Sequence, residues 1–330
     1  MSIFRFFYVK RAFLLKYMLY LLFKSEAMTE QLEHNDWKGT TGGMPWMQRS
    51  LVSILGHTDP RIVYFFVALV APFYMLFSHQ GYIAQYRFFT ERLQEPWWKA
   101  FWHVYVNHFR FGQIIIDRFA AYGGRNFKFE IANQDIWQHL SSQPEGFIQM
   151  SSHIGNYELA GYSLRSAHKR LYALVFMGET ETVMKNRSKE FTPNNIEMVP
   201  IMPDMSHIFT LNNALANGDI ASMPSDRIFG SQKALNCRFF GLDAKFPLGP
   251  FSLAVSRGCG ALAVFVMKKK WDTYSIYVFD LSKGYEQIDS ALLSKKNVRQ
   301  QALADEFARR LEEIVRKYPT QWFNYYDFWK

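Results

Sequence analysis

From residue 126 onward, short apolar runs alternate with amphipathic stretches, and this alternation constrains the fold more than any other feature. The runs have the length and composition of strands; they read KFEIA, GFIQM, LYALVFM, NIEMVPI, DIASMP, ALAVFVM and TYSIYVFD. Helical patterns such as YELAGYSLRSA stand between them, and LADEFARRLEEIVRKY follows them. Strands that alternate with helices build a sheet covered by helices. We therefore predict an α/β fold with a mixed, largely parallel central sheet flanked by helices.

The chain before residue 126 has a different composition. Aromatic residues make up 18% of the chain, and they crowd between Phe4 and Phe119, where Arg and Lys interrupt them. Rings beside cations suit a surface at the lipid headgroup boundary, although a helical core with a basic outside has the same composition. We predict a basic apolar segment with a flexible linker over 1–45, a membrane-associated helical region over 46–125, and an α/β catalytic domain over 126–330.

The N-terminal segment Met1–Phe23 is apolar but is interrupted by Arg5, Lys10, Arg11 and Lys16. No small-residue cleavage site follows it, so it resembles a basic interfacial helix more than a signal peptide. The alternative is that Met28 is the true start and that the preceding residues are not translated. The stretch Gly39–Gly43 reads GTTGG, which is typical of a flexible linker.

A second apolar segment, Ile62–Ser78, carries no charge and is at the short end of what spans a bilayer. Pro72 within it is expected to kink a helix. We predict a membrane anchor, either spanning or re-entrant, and the alternative is a buried helical hairpin. A long helix is also predicted after Glu95, with Pro96 at its first turn and Gly123-Gly124 at its end.

The net charge of +9 implies an anionic partner. The basic residues are dispersed and form no nucleic-acid-binding pattern, so an anionic membrane surface, a phosphorylated substrate or an acidic carrier protein fits better. Two cysteines, Cys237 and Cys259, make no disulfide framework or metal site and indicate a reducing cytoplasm. We expect no metal, no cofactor and no nucleic acid.

The stretch Ser151–Glu158, SSHIGNYE, follows the predicted strand GFIQM. Ligands in α/β sheets bind at the carboxyl ends of strands. His153 and Glu158 are five residues apart and would lie about 140° apart on one helix, so they meet only if the chain turns at Gly155-Asn156. Glu158 could then accept a hydrogen bond from Nδ1 of His153 and leave Nε2 as a base. The alternative is that Glu158 only caps the following helix.

Four stretches in this order resemble the lysophospholipid acyltransferase superfamily, in particular its bacterial lipid A late-acyltransferase branch: HIGNYE, GDIASMPSDR, NCRFFGLDAKFPLGPFSLAVSRGCGALAV and PTQWFN. The resemblance implies transfer of a fatty acyl group from a thioester of acyl carrier protein or coenzyme A to a hydroxyl or amine of a lipid. It implies that His153 is the general base, that Glu158 orients it, and that no covalent acyl-enzyme forms. The absence of a G-x-S-x-G elbow agrees with this.

The resemblance also implies a set of substrate-binding residues. Asp226 and Arg227 align with a second polar site and are assigned to orienting the acceptor or neutralising its phosphate, the alternative being a turn-capping Asp and a surface Arg. Lys245 and Gly249 are expected to present a cation and backbone donors near the same cleft, and Asn156 belongs to the histidine motif.

The chain departs from the lipid A branch at two points. Arg227 stands where a glutamine is common, and the C-terminal end reads QWFNYYDFWK rather than a basic sequence. The resemblance implies a lipid A-type glycolipid as the acceptor, and because of these two departures an aminolipid, a glycerolipid or a polyene lipid stays open. Two further hypotheses are a hydrolase that uses His153 to activate water and a non-catalytic lipid-binding protein. Ile62–Ser78 together with the cationic aromatic clusters predicts a place at the inner membrane, with the catalytic region on its cytoplasmic side.

Overall fold

The structure is a computed structural model that describes residues 45–77, 79–175, 181–191, 194–202, 204–228, 233–286 and 288–329. The predictions for the N-terminal segment, for the linker and for a start at Met28 concern residues outside this set, and so does Ser78.

Helices and strands follow one another along the described chain. The helices are α1 Pro45–His57, α2 Pro60–Phe77, α3 His79–Arg87, α4 Trp97–Tyr122, α5 Gln134–Ser142, α6 Ala160–Ser163, α7 Glu181–Phe191, α8 Ser206–Ala216, α9 Leu248–Arg257 and α10 Lys296–Lys317. The strands are β1 Lys128–Ala132, β2 Phe147–Ser151, β3 Leu171–Val175, β4 Ile196–Pro200, β5 Ile220–Pro224, β6 Ala234–Phe239, β7 Leu242–Pro247, β8 Gly260–Lys268 and β9 Thr273–Asp280. Helix α4 begins after Pro96 and ends at Gly123, as the sequence predicts.

The described chain divides into two compact units. Residues 45–126 and 181–187 form the first unit, and residues 127–175, 188–191 and 194–329, with the gaps given above, form the second. Residues 181–187 join the first unit although they follow β3 in sequence, and nothing in their composition indicates this.

In the first unit, α2 and α4 pack antiparallel. The Tyr105 hydroxyl donates to the Ala68 carbonyl at 3.1 Å, and further along both helices the Tyr64 hydroxyl donates to Asp117. Gly112 allows the close approach, because a Cβ atom there would lie 2.5 Å from the Val67 side chain. The hydrogen bonds of Tyr105 and Tyr64 therefore join α2 to α4 at two points along the helix pair.

The same pair of helices exposes apolar side chains over two adjoining areas. On α2 they recur at helical spacing, and on α4 they occupy the first turns; they are Ile62, Phe65, Leu69 and Phe73, and Trp97, Trp98, Phe101 and Trp102. The Trp102 ring lies 5.0 Å from that of Tyr105, whose hydroxyl bonds to the carbonyl of Ala68, the residue before Leu69. We call these eight residues the apolar face.

No single described helix is long and apolar enough to cross a bilayer. The segments Pro60–Met75 and His79–Arg92, which are bent by 94° at a short break, reach that length and composition only as a pair.

The second unit contains a seven-stranded sheet with the order β1-β9-β8-β2-β5-β3-β4. Among its described strands, every neighbouring pair is parallel except β8 with β9. All seven predicted strands are found, and the prediction of a mixed, largely parallel α/β sheet is confirmed. The antiparallel hairpin β6–β7 is an addition to the predicted strands, although LNCRF and LDAKF alternate apolar and polar residues.

The helix predicted after His153 is much shorter than its sequence pattern. A 3₁₀ turn, Tyr157–Leu159, leads into α6, which has four residues and ends before Leu164 at ψ 87°. The chain leaves the helical conformation at Leu164, although the apolar spacing continues beyond it.

Candidate active site

His153 lies just beyond β2, and its ring is held by a carboxylate from another strand. The Nδ1 atom is 2.8 Å from Oδ1 of Asp226. The other oxygen of Asp226 accepts the backbone N–H of His153 at 2.8 Å and the hydroxyl of Ser152 at 2.7 Å. Both carboxylate oxygens therefore bond to the loop of residues 152–156, which we call the histidine loop. These bonds fix the position of the His153 ring.

The register of two parallel strands explains this contact. In the pairing of β2 with β5, Ser151 is opposite Pro224, and the Ser225 N–H donates to the Ser151 carbonyl at 2.9 Å. His153 and Asp226 each stand two residues beyond those paired positions. Because parallel strands end at the same edge of a sheet, the two side chains arrive side by side.

This geometry differs from the predicted pairing of His153 with Glu158. The Nδ1 atom contacts Asp226, while Glu158 lies in the 3₁₀ turn Tyr157–Leu159 and is 9% exposed. Both oxygens of Asp226 bond to the histidine loop, and its predicted role in orienting the acceptor or neutralising its phosphate remains a prediction. The sequence indicates the turn but not which strand is the neighbour of β2.

Gly155 makes the turn after His153. Its φ is +56°, and a Cβ atom there would lie 2.0 Å from the Val266 carbonyl oxygen. The next N–H, that of Asn156, donates to the same carbonyl at 2.8 Å. Only glycine combines this left-handed conformation with so close a backbone approach. One side of the loop therefore lies directly against β8.

A C-terminal segment holds the other side of the loop. The Gly155 N–H donates to the Gln321 carbonyl at 2.9 Å, and the Phe323 N–H donates to the His153 carbonyl at 3.1 Å. Between these bonds, Ile154 and Trp322 form an antiparallel bridge. The histidine loop is therefore bound between β8 and residues 321–323.

The surroundings of His153 favour a neutral imidazole. Burial lowers its pKa below the usual 6.5, the charge of Arg227 lowers it further, and Asp226 offsets only part of this. One fifth of the side chain remains exposed. A proton on Nδ1 that is donated to Asp226 leaves the lone pair on Nε2, which is the tautomer that a general base requires.

The surroundings of Asp226 favour the ionised carboxylate at neutral pH. Burial alone would raise its pKa, but the charge and hydrogen bonds of His153 and the charge of Arg227 outweigh that effect and lower the pKa to about 2. A charged carboxylate at Nδ1 stabilises the imidazolium that forms when Nε2 accepts a proton.

Arg227 places a cation beside this pair. Its Nη2 atom donates to the Phe323 carbonyl at 2.8 Å, and its guanidinium lies 5.5 Å from the centre of the Tyr326 ring. The guanidinium is half-buried and close enough to influence the pKa of His153. The prediction that Arg227 neutralises a phosphate remains a prediction.

The remaining predicted residues lie on separate elements. Asn156 is 2% exposed and its side chain donates to the Tyr274 hydroxyl at 3.4 Å, so it supports the loop from inside; its predicted contact with a substrate remains a prediction. Lys245 is exposed on β7, and Gly249 is exposed in the first turn of α9. The structure thus brings His153, Asp226 and Arg227 together.

Three residues around His153 carry no individual sequence signal: Ser152, which bonds to Asp226, and Gln321 and Phe323, which bond to the histidine loop. The motif PTQWFN contains Gln321 and Phe323. It is far from HIGNYE in the sequence, so the sequence does not indicate that the two motifs are in contact. The remaining signal is the position of Asp226, which stands two residues after the predicted strand DIASMP, much as His153 stands three residues after the predicted strand GFIQM.

Residues 125–330 match the family model described as bacterial lipid A biosynthesis acyltransferase. Among solved structures, the chain is similar to the 1-acyl-sn-glycerophosphate (LPA) acyltransferase PlsC from Thermotoga maritima, with 12% identity and a TM-score of 0.36. That similarity covers 82% of this chain and 98% of the other. No curated protein matches the sequence.

Proposed function

Because the chain belongs to the bacterial lipid A biosynthesis acyltransferase family, we propose that His153 and Asp226 catalyse transfer of a fatty acyl group from a thioester directly to a hydroxyl or amine of a lipid. The chain is an acyltransferase, and its family implies an acyl donor and a lipid acceptor. The observation that carries the assignment of residues is the contact of Nδ1 with Asp226 at the carboxyl edge of the sheet.

The proposed reaction needs one base and no nucleophilic side chain. Nε2 of His153 takes the proton from the acceptor hydroxyl or amine as the acceptor attacks the thioester carbonyl. The new C–O or C–N bond forms, the C–S bond breaks, and the leaving thiolate takes the proton from the imidazolium. General base catalysis of this kind contributes about 10²–10⁴-fold. Asp226 stabilises the imidazolium between the two proton transfers.

Arg227 is proposed to bind an anionic group of a substrate. A planar guanidinium that is already oriented by the Phe323 carbonyl and the Tyr326 ring loses little freedom when it binds a phosphate. The phosphopantetheine arm of acyl carrier protein, coenzyme A and a phosphorylated lipid all carry such a group.

Apolar side chains on the same edge of the sheet support a fatty acyl substrate. Met202 and Met205 follow β4, and Ile228 follows β5; all three are exposed large apolar residues. Methionine adapts its shape to an apolar ligand. These residues offer a surface for the hydrocarbon chain beyond the carboxyl ends of the strands.

The apolar face of the first unit is proposed to dock on the cytoplasmic side of the inner membrane. Tryptophan favours the membrane–water interface, and four exposed aromatic residues stand in the first turns of α4. The net charge of +9 suits an anionic bilayer. Docking would bring the enzyme to a lipid acceptor, for which a lipid A-type glycolipid is the first candidate, followed by an aminolipid, a glycerolipid or a polyene lipid.

One experiment tests the function. Purified enzyme in detergent is given one radiolabelled acyl chain, first as acyl carrier protein thioester and then as coenzyme A thioester, with lipids extracted from a strain that lacks the gene. Mass spectrometry identifies the lipid that gains the acyl mass. We expect an acylated lipid that depends on His153. Release of free fatty acid at the same rate without any acceptor would show a hydrolase instead.

A further inference from the structure

Gln321 joins the end of a central strand to the histidine loop. Its side-chain Oε1 accepts the Lys268 N–H at 2.9 Å, and its Nε2 donates to the Lys268 carbonyl at 2.9 Å. Its own backbone carbonyl accepts the Gly155 N–H. The side chain is 4% exposed, so these bonds form away from water. Gln321 therefore fixes the loop relative to the last residue of β8.

Two residues later, the backbone of Phe323 contacts both His153 and Arg227. Its N–H donates to the His153 carbonyl at 3.1 Å, and its carbonyl accepts from Nη2 of Arg227 at 2.8 Å. The residues that carry the base and the cation are thus joined through the N–H and the carbonyl of a single residue. This contact is independent of the bond between His153 and Asp226.

Trp322 anchors the segment between these two residues. It is almost completely buried, and its ring lies 5.7 Å from that of Phe239 and 5.3 Å from that of Phe328. With Trp322 held in this aromatic cluster, the peptides on either side of it have little freedom to move.

We propose that residues 321–323, which we call the brace, set the distance between the base His153 and the cation Arg227, and that Gln321 is a positioning residue for acyl transfer. The inference rests on the proposed function, since it assumes that His153 is the base. Arg227 binds the anionic part of a substrate, and His153 takes a proton from the acceptor. The position of the brace determines whether His153 and Arg227 can act on the same bound substrates.

The expected effect is large because catalysis depends on small distances. A displacement of about 1 Å in a catalytic group can cost about 10²-fold in rate. Removal of the Gln321 amide takes away a buried partner of both the Lys268 N–H and the Lys268 carbonyl, so the end of β8 and the loop beside it should shift.

The test compares Gln321→Met, which removes both side-chain bonds, with Gln321→Glu, which can still accept from the Lys268 N–H. The matched control is Gln301→Met, because Gln301 is a glutamine on α10 that donates to the Asn236 carbonyl and to Asp305. Each variant is assayed for kcat, KM and melting temperature. Hydrogen exchange at residues 153–156 reports the loop itself, even if a variant is less stable.

We expect kcat to fall by about tenfold or more in both variants, because the carboxylate of Gln321→Glu would place an acceptor against the Lys268 carbonyl in a buried site. The KM of the acyl donor should change by less than about threefold. Exchange at residues 153–156 should rise in both variants, while Gln301→Met resembles the wild type. If Gln321→Met lowers only the melting temperature and leaves both kcat and loop exchange unchanged, the brace has no positioning role.

Different results would refute the proposed function and the positioning role of the brace. An active His153→Ala enzyme would refute the proposed function, whatever the Gln321 variants do. An inactive His153→Ala enzyme together with a Gln321→Met enzyme of normal kcat would keep the function and refute the brace.

Discussion

The Nδ1 atom of His153 lies 2.8 Å from Oδ1 of Asp226, a residue 73 positions further along the chain. The residue that contacts Nδ1 therefore stands just beyond strand β5, whereas the His-x4-Glu motif predicts that Glu158 contacts it. The carboxylate also accepts the His153 N–H and the Ser152 hydroxyl, so it holds the ring and the backbone of the loop together.

The first prediction compares the two carboxylates. We expect Asp226→Asn to lower kcat by at least about 10²-fold, because the amide cannot supply the charge that stabilises the imidazolium. Glu158→Gln should lower kcat less than Asp226→Asn does. Turnover and melting temperature are measured on the same preparations. A Glu158→Gln enzyme that loses more turnover than Asp226→Asn would restore the pairing that the sequence motif suggests.

The second prediction concerns the base itself. His153→Ala should abolish acyl transfer and leave the protein folded, because the ring is partly exposed and its loop is held by backbone bonds. The control is His139→Ala, which removes an exposed histidine from α5. Turnover is measured after circular dichroism has confirmed folding. Retention of more than a small fraction of wild-type turnover would exclude His153 as the base.

The third prediction is a pH dependence with two opposite shifts. A base must be neutral, and the pKa of His153 is lowered, so kcat/KM should rise with pH through a value below 6.5 and stay level above it. Asp226 raises the pKa of His153 and Arg227 lowers it. Asp226→Asn should therefore move the acid limb to lower pH, and Arg227→Gln should move it to higher pH.

The pH profiles of kcat/KM for the three enzymes check this. The pKa of Asp226 is lowered to about 2, so Asp226 stays charged over the pH range of the assay. Its titration therefore adds no further step to the profile of kcat/KM. Shifts of the same sign in both variants would show that the acid limb belongs to another group.

The fourth prediction concerns Gly155. Gly155→Ala should strongly destabilise the second unit or shift the loop, because the new Cβ atom would meet the Val266 carbonyl in a backbone conformation that alanine rarely adopts. Gly249→Ala is the control for stability, since nothing lies within 4 Å of the position that a Cβ atom would occupy there. Thermal unfolding of both variants is compared. Equal melting temperatures for the two variants would show that the loop accommodates a Cβ atom at position 155.

The fifth prediction concerns the apolar face. Phe65→Glu and Leu69→Glu should each reduce binding to anionic vesicles, because a charge on this face opposes its burial in lipid. Leu292→Glu is the control, as Leu292 is an exposed apolar residue of the second unit. Sedimentation with vesicles of phosphatidylglycerol and phosphatidylethanolamine measures binding. If all three variants bind as the wild type does, the apolar face is not the docking surface.

Local sequence features predicted the elements well. Pro96 and Gly123 bound helix α4 as expected, because proline and glycine act through their own backbone preferences. The seven apolar runs became strands for a similar reason, since their length and composition suit a buried strand. The hairpin β6–β7 is not among the predicted strands, although LNCRF and LDAKF alternate apolar and polar residues as a half-buried strand does.

By itself, the sequence determined the α/β class, the place of His153 at the end of a strand, and the turn at Gly155. These depend on residues close together in the chain. Only the tertiary structure decided that Asp226 is the partner of His153 and that Gln321 and Phe323 hold its loop. Those contacts depend on which strands are neighbours and in what register, and register arises from packing and hydrogen bonding across the whole sheet. The histidine of the motif lies at the end of a strand as predicted, while the carboxylate that contacts its Nδ1 atom stands just beyond the adjacent strand β5.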